Sequence, residues 1–224
     1  MPDTANALLR QYVKLTEFLG AALGPDYEVA LHDLTDKNRS IIAIANGYIS
    51  GREIGAPLTN MALSVLKDES YEWQDYRLHY SGVSAAGNAL RSSTMFIKED
   101  GKLIGMLCIN FDDSRFQNFA QQVLTLCHPN QFVQALEQPP EGEHASRPET
   151  FRNSTEAVAQ DAIAHELERL GVPAKRLTSE ERLLIIAALE ESGIFLLKGA
   201  VKDVAAGLGC SQASVYRYLS QVKK

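Results

Sequence analysis

The chain has 224 residues, 22 Lys plus Arg against 28 Asp plus Glu for a formal charge of −6, and 45% hydrophobic residues. That length suits two modest domains, and the composition is that of a folded globular protein, which excludes a disordered tail or a basic coat protein. With no run of about 18 apolar residues, no signal-peptide pattern at Met1-Pro2-Asp3-Thr4, and only Cys108, Cys127 and Cys210 at wide spacing, the expectation is a cytoplasmic protein with reduced thiols, no membrane partner, and neither a disulfide framework nor a paired-cysteine metal site.

Between Asn6 and Leu23 the residues Leu8, Leu9, Tyr12, Val13, Leu15, Leu19 and Ala22 recur at helical spacing, and Gly24-Pro25 ends the helix they predict. Tyr27 to Leu34 and Ser40 to Asn46 are β-branched or alternating and flank a polar turn, so two strands are predicted there. Pro57 opens a second helix carrying Leu58, Met61, Ala62, Val65 and Leu66. Asn88 to Lys98 and Lys102 to Phe111 predict a hairpin about Glu99-Asp100-Gly101, because Asp-Gly supplies the positive φ of a tight turn. Arg115 to Leu126 is helical again. Strands bracketed by helices imply an α+β domain with an antiparallel sheet over residues 1–136. From Glu137 three of the eight prolines fall within ten residues among few apolar ones, so residues 137–152 read as a linker.

Residues 153–224 read as all-helical. Asn153 to Glu156 and Thr178 to Glu181 match the capping pattern, in which a short polar side chain takes an orphan N–H and Glu reaches back. Leu183, Leu184, Ile186, Ala187 and Leu189 continue the second of these helices to Gly193. The first, Ser154 to Leu170, carries an apolar stripe that is either a dimer seam or a face packed on Leu183 to Leu189. Two short helices follow within residues 201–222, separated by Gly209-Cys210-Ser211.

That last pair meets the requirements of a helix-turn-helix. Two helices crossing steeply need a small residue at their contact, here Ala205, and a turn residue tolerant of left-handed φ, here Gly209. Val204, Leu208, Cys210, Val215 and Tyr218 supply the corner packing. Ser211 is an N-cap, and Gln212, Ala213, Ser214, Tyr216 and Arg217 are expected to face outward with groups that bond phosphates and base edges; Lys202 is a further backbone contact. Charge supports double-stranded DNA as the partner. Residues 170–224 hold 8 Lys plus Arg against 5 Asp plus Glu, whereas residues 1–138 hold 11 against 16. One such motif touches few base pairs, so a homodimer is expected. The alternative is a small-molecule-binding or protein-interaction module whose terminal helices dock a partner without binding DNA.

Glu28 to Leu34, Ile44 to Thr59, Leu90 to Phe96, Ile104 to Asn110 and Gly193 to Tyr218 together resemble the YheO-like transcriptional regulators. The resemblance implies a PAS-like sensor domain ahead of the helix-turn-helix and a small-molecule effector. Because the family includes a repressor of D-arginine utilisation, an amino acid is one effector it implies.

Sensor domains of this kind hold ligands between sheet and helices, so polar residues interrupting apolar strands are the candidates: His32, Asn46, Gly47, Ser93, Thr94 and Asn110, with Arg52 to clamp a carboxylate. Each also has a structural reading; Asn46-Gly47 suits a turn, and His32 suits a hydrogen-bonded core position. No nucleophile–base pair, metal triad or phosphate cradle is legible, so no enzyme, metal or cofactor is expected.

Overall fold

A computed structural model of the chain describes residues 7–127 and 148–222. Helix α1 (Ala7–Leu23) precedes strands β1 (Tyr27–Asp33) and β2 (Ile41–Ala45), helix α2 (Asn60–Asp68), strands β3 (Tyr76–Val83), β4 (Ala89–Glu99) and β5 (Lys102–Asp112), and helix α3 (Ser114–Cys127). A two-residue strand β6 (Glu149–Thr150) leads into α4 (Thr155–Leu170), α5 (Ser179–Glu191), α6 (Ala200–Gly207) and α7 (Gln212–Val222). The six strands form one sheet in the order β2-β1-β5-β4-β3-β6. All neighbours are antiparallel except β3 and β6, which run parallel. The expected α+β domain followed by helices is therefore present.

The hairpin closes as its dipeptide requires: Asp100 and Gly101 take φ of 49° and 76°, and Glu99 pairs with Lys102. Alternation along β1 divides the domain into two layers. Val29 and Leu31 face α1 with Leu9, Ile97 and Leu107. Ala30 faces the opposite side with Phe96, Met106 and Cys108, over which α2 lies.

Two strands escaped the sequence pattern. β3 alternates poorly and bears a register shift between Arg77 and Tyr80, with His79 at φ 55°. β6 falls inside the stretch read as a linker. Residues 137–147 of that stretch lie outside the described residues, but Glu149 and Thr150 pair with Gly82 and Val83, and Phe151 is buried with Ile49 and Leu90.

In the helical part, Thr178 and Glu181 form a complete capping box. At α4 the cap is Ser154, which accepts from the Ala157 N–H, while Glu156 accepts from Gln160. Val158, Ala159, Ala162 and Ile163 of α4 are buried against α5 and α6, so this stripe belongs to the domain's own core. That core is continuous with the inner layer of the N-terminal sheet domain. Asn38 clamps the backbone of Lys198 through both its amide atoms, at 2.9 and 3.0 Å. Lys67 of α2 pairs with Glu190 of α5 at 2.7 Å. Gly193, at φ 77°, lies where any Cβ would stand 2.8 Å from the Leu63 carbonyl oxygen. The helical part is thus seated directly on α2.

Candidate sensor site and nucleic-acid interface

The inner face of the sheet carries a buried polar cluster. In register across β1, β5 and β4 lie Glu28, Asn110 and Ser92, and next to them Ala30, Cys108 and Thr94. Tyr80 of β3 stands opposite Ser92. Glu28 accepts from the Ser50 hydroxyl at 2.6 Å, from the Ser50 N–H at 3.1 Å and from the Asn110 amide at 2.7 Å. The Tyr80 hydroxyl bonds to Thr94 at 2.8 Å, and Thr94 to the Cys108 thiol at 3.1 Å.

Arg52 enters from the loop after β2. Asn46, at φ 57°, starts the turn, and Gly47 accepts from the N–H groups of Gly51 and Arg52; a Cβ on Gly47 would stand 2.6 Å from the Arg52 carbonyl oxygen. This tight reversal pushes the guanidinium inward, where it is 3% exposed and donates to the Pro57 carbonyl. Glu149, also 3% exposed, enters from β6 and accepts from Thr59 at 2.6 Å.

Three ionisable groups therefore share a buried interior, and burial is the largest influence on their protonation. A buried carboxylate loses several kcal/mol of hydration, more than two or three hydrogen bonds return. Burial accordingly raises Glu28 against the lowering effect of Ser50 and Asn110, and raises Glu149 against that of Thr59, Arg52 and the nearby Tyr80 hydroxyl. Burial also pulls Arg52 down, opposed by Glu149 and Glu28. Both carboxylates act on Arg52 through space, yet among the described residues no ion pair joins them to it. Arg52 Nε, Asn110 Oδ1, Glu149 Oε2 and Ser92 Oγ are buried without a hydrogen-bond partner. Such atoms are costly unless a bound molecule, water included, completes them. Tyr80 also walls a cleft of about 400 Å³ between α2 and β3, lined further by Ser64, Arg77 and Ser192 of the helical part.

Of the residues expected to contact a ligand, Arg52, Thr94 and Asn110 come together here. His32 shares the face but bonds to Ser40 at 2.9 Å, and burial holds its pKa well below the usual value, so it is a neutral core histidine. Asn46 donates to the carbonyls of Gly20, Gly24 and Tyr27, tying α1 to β1, and Gly47 shapes the turn that delivers Arg52. Ser93 points to the opposite face, where it accepts from the His79 N–H. Glu28, Tyr80 and Glu149 were missed. Glu28 was detectable as a charge in phase with Ala30 and His32; Glu149 was hidden in a polar, proline-rich stretch. The Cys108 thiol, pushed up to about 12 by burial, is uncharged and unreactive at neutral pH. Among the described residues no group of three or more His, Cys, Asp or Glu is arranged to hold a metal ion, and no helix is long and apolar enough to cross a membrane.

At the other end of the chain, Gly209 turns α6 into α7 at φ 60°. Val204, Ala205, Leu208, Val215 and Tyr218 are buried at the corner, and Cys210 is half-buried. Ser211 caps α7, accepting from the Ser214 N–H at 3.1 Å, and the two hydroxyls bond to each other. Gln212, Ala213, Tyr216 and Arg217 are exposed on the first two turns of α7, Ser214 is half-buried, and Lys202 is exposed on α6. Arg217 lies over the Tyr218 ring at 5.1 Å, which pre-orders its long side chain.

Comparison with known proteins bears on both ends. Residues 3–128 match the family model of the YheO-like PAS domain, and residues 152–220 match a helix-turn-helix (HTH) domain model. The uncharacterized protein YheO of Escherichia coli (strain K12) is 29% identical over 217 residues, covering 96% of this chain and 85% of its own. A Haemophilus influenzae protein is 27% identical over 224 residues, covering 99% and 94%. The transcriptional regulator DauR of Pseudomonas aeruginosa is 25% identical over 228 residues, covering 100% and 99%.

Proposed function

The chain belongs to the family of YheO-like PAS-domain proteins and carries the helix-turn-helix of a DNA-binding transcriptional regulator; on that premise we propose that it is a homodimeric, cytoplasmic regulator whose PAS-like domain binds a small polar effector in the buried cluster. The observation that carries the effector reading is the set of buried atoms without partners. Arg52 Nε seeks an acceptor, and Asn110 Oδ1 and Glu149 Oε2 seek donors. A small zwitterion, carboxylate toward Arg52 and ammonium toward Glu149 and Asn110, meets all three demands, and an amino acid is the simplest such molecule. The cleft beside Tyr80 supports an approach route.

The DNA contacts in this reading are Lys202, Ser211, Gln212, Ala213, Ser214, Tyr216 and Arg217, with Gln212 and Arg217 reading bases and the rest positioning the helix. Electrophoretic mobility with a duplex selected from a randomised library tests it: Arg217→Ala is expected to weaken binding by about 5- to 150-fold, the equivalent of ~1–3 kcal/mol. Unchanged affinity in Arg217→Ala and Gln212→Ala together removes α7 from the interface.

For the effector, a thermal-shift screen of amino acids and related zwitterions on the full chain is decisive. A ligand at a hundredfold excess over its Kd raises the melting temperature by about 5–10 °C. That shift is expected to vanish in Arg52→Ala and Asn110→Ala; a ligand whose shift survives both binds elsewhere.

A further inference from the structure

This inference rests on the reading of the buried cluster as the effector site. An effector changes DNA affinity only by binding one arrangement of the molecule better than another, so some group it touches must move with the DNA-reading head. Glu28, Asn110 and Thr94 stand on the central strands β1, β5 and β4, and Arg52 stands in a loop of the same domain. Glu149 is different. It lies five residues before the Ser154 cap of α4, in the segment that continues directly into the helical part.

We propose that residues 148–153 are a strap through which occupancy of the sensor site is passed to the head, with Glu149 as the group on which the effector acts. The strap is held by few, separable contacts. Its ladder to β3 is only two residue pairs long at the sheet edge. Asn60, in the first turn of α2, grips it at two residues, donating to the Pro148 carbonyl at 3.1 Å and accepting from the Thr150 N–H at 2.8 Å and hydroxyl at 3.4 Å. Glu149 is anchored by Thr59, whose hydroxyl oxygen also caps α2 by accepting from the Ala62 N–H. Phe151 seals the underside, packed so closely on Gly82 that a Cβ there would stand 2.8 Å from its ring. Beyond it, Asn153 donates to the Gly51 carbonyl at 2.7 Å, and Arg152 pairs with Asp161 of α4 at 2.6 Å.

The strap therefore has one end in the polar cluster and the other fixed to the first helix of the head. Its anchoring residues Thr59 and Asn60 open α2, the same helix on which the head is seated through Lys67–Glu190 and Leu63–Gly193. A ligand donor that takes Glu149 Oε2, with a ligand acceptor on Arg52, replaces the forces that hold Glu149 in place. The strap and the seat on α2 respond together because they share that helix.

Hydrogen exchange on the full-length protein tests this without a known effector. Two amides report: Thr150, bonded to Asn60, for the strap, and Lys198, bonded to Asn38, for the seating of the head. Asn60→Ala cuts both grips on the strap while leaving the buried cluster in place. It is expected to speed exchange at Thr150 and at Lys198, each by about tenfold or more, with β1 and β5 unchanged. Glu149→Gln, which keeps an acceptor for Thr59 but removes the charge facing Arg52, is expected to move both amides in the same direction. Faster exchange at Thr150 with Lys198 unaltered overturns the strap, and so does a uniform rise that includes β1 and β5, which marks general loosening. Affinity for the selected duplex is measured in parallel, with a change of about fivefold or more expected, as for a typical allosteric coupling. If the unmodified protein binds no duplex, the DNA-binding reading fails while the two amides still decide the strap; a strap freed with duplex affinity intact overturns the coupling.

Discussion

A carboxylate on the inward face of an otherwise apolar strand is destabilising unless something beyond stability keeps it there. Glu28 is such a residue: fully enclosed, bonded to Ser50 and Asn110, and still raised from its ordinary value because burial outweighs those bonds. The consequence for pH has a definite sign. With its native pKa above the unfolded value of about 4.5, the folded state holds this proton more tightly, so its contribution to stability is complete below that value and is lost as pH rises through the native pKa. Glu28→Gln removes the titration, and turning over the Asn110 amide presents its unpartnered Oδ1 to the new N–H group. This variant is expected to melt a few degrees above the parent near neutral pH, with the gap closing as pH falls toward 4.5. A gap independent of pH would sink this account of Glu28. The same one-dimensional pattern that exposes Glu28 also marked Thr94 and Asn110, whose spacing places them on the inward face. Asn46 and Ser93 bond to backbone groups instead, because whether a polar side chain faces the cluster or the backbone depends on neighbours brought from distant segments.

Among the elements, α3 stands apart. It is 14 residues long, none of them buried, and its chief contacts with the sheet domain are the Phe111–Phe116 rings and Arg115–Asp26. An isolated helix of that length is marginal in water, and helices in proteins draw most of their stability from packing an amphipathic face. Phe116, Phe119, Val123 and Leu126 supply such a face, 42–84% exposed. Its single charge, Arg115, is paired with Asp26, so two copies meet without like-charge repulsion. With the α4 stripe enclosed in the helical core, α3 becomes the favoured seam for the proposed dimer. Phe119→Glu combined with Leu126→Glu is expected to turn a dimer into a monomer in light scattering coupled to size exclusion, with the melting of the sensor sheet preserved. An undisturbed dimer in that variant would place the seam elsewhere, and a monomeric parent at micromolar concentration would refute the dimer itself. The hairpin, the capped helices and the corner at Gly209 were legible because turn chemistry and periodicity are local. β3 and β6 were not, since an irregular edge strand and a two-residue strand owe their existence to the partner they pair with.

The molecule as a whole has its two parts welded more closely than a linker suggests. One apolar core runs from the inner face of the sheet through α2 into the corner of the helix-turn-helix, and hydrogen bonds and an ion pair stitch its rim. The basic balance of the last quarter, the small residue and glycine at the bihelical corner, and the outward set at the start of α7 are properties of adjacent residues, and they mark the DNA-binding end in the sequence itself. Where Arg52, Glu28 and Glu149 meet was decided only by folding, because 24 and 97 residues separate partners that act on one another through a shared low-dielectric interior. The same holds for the strap: nothing in a polar, proline-rich stretch distinguishes a free tether from a strand until β3 offers it an edge and Thr59 receives its carboxylate.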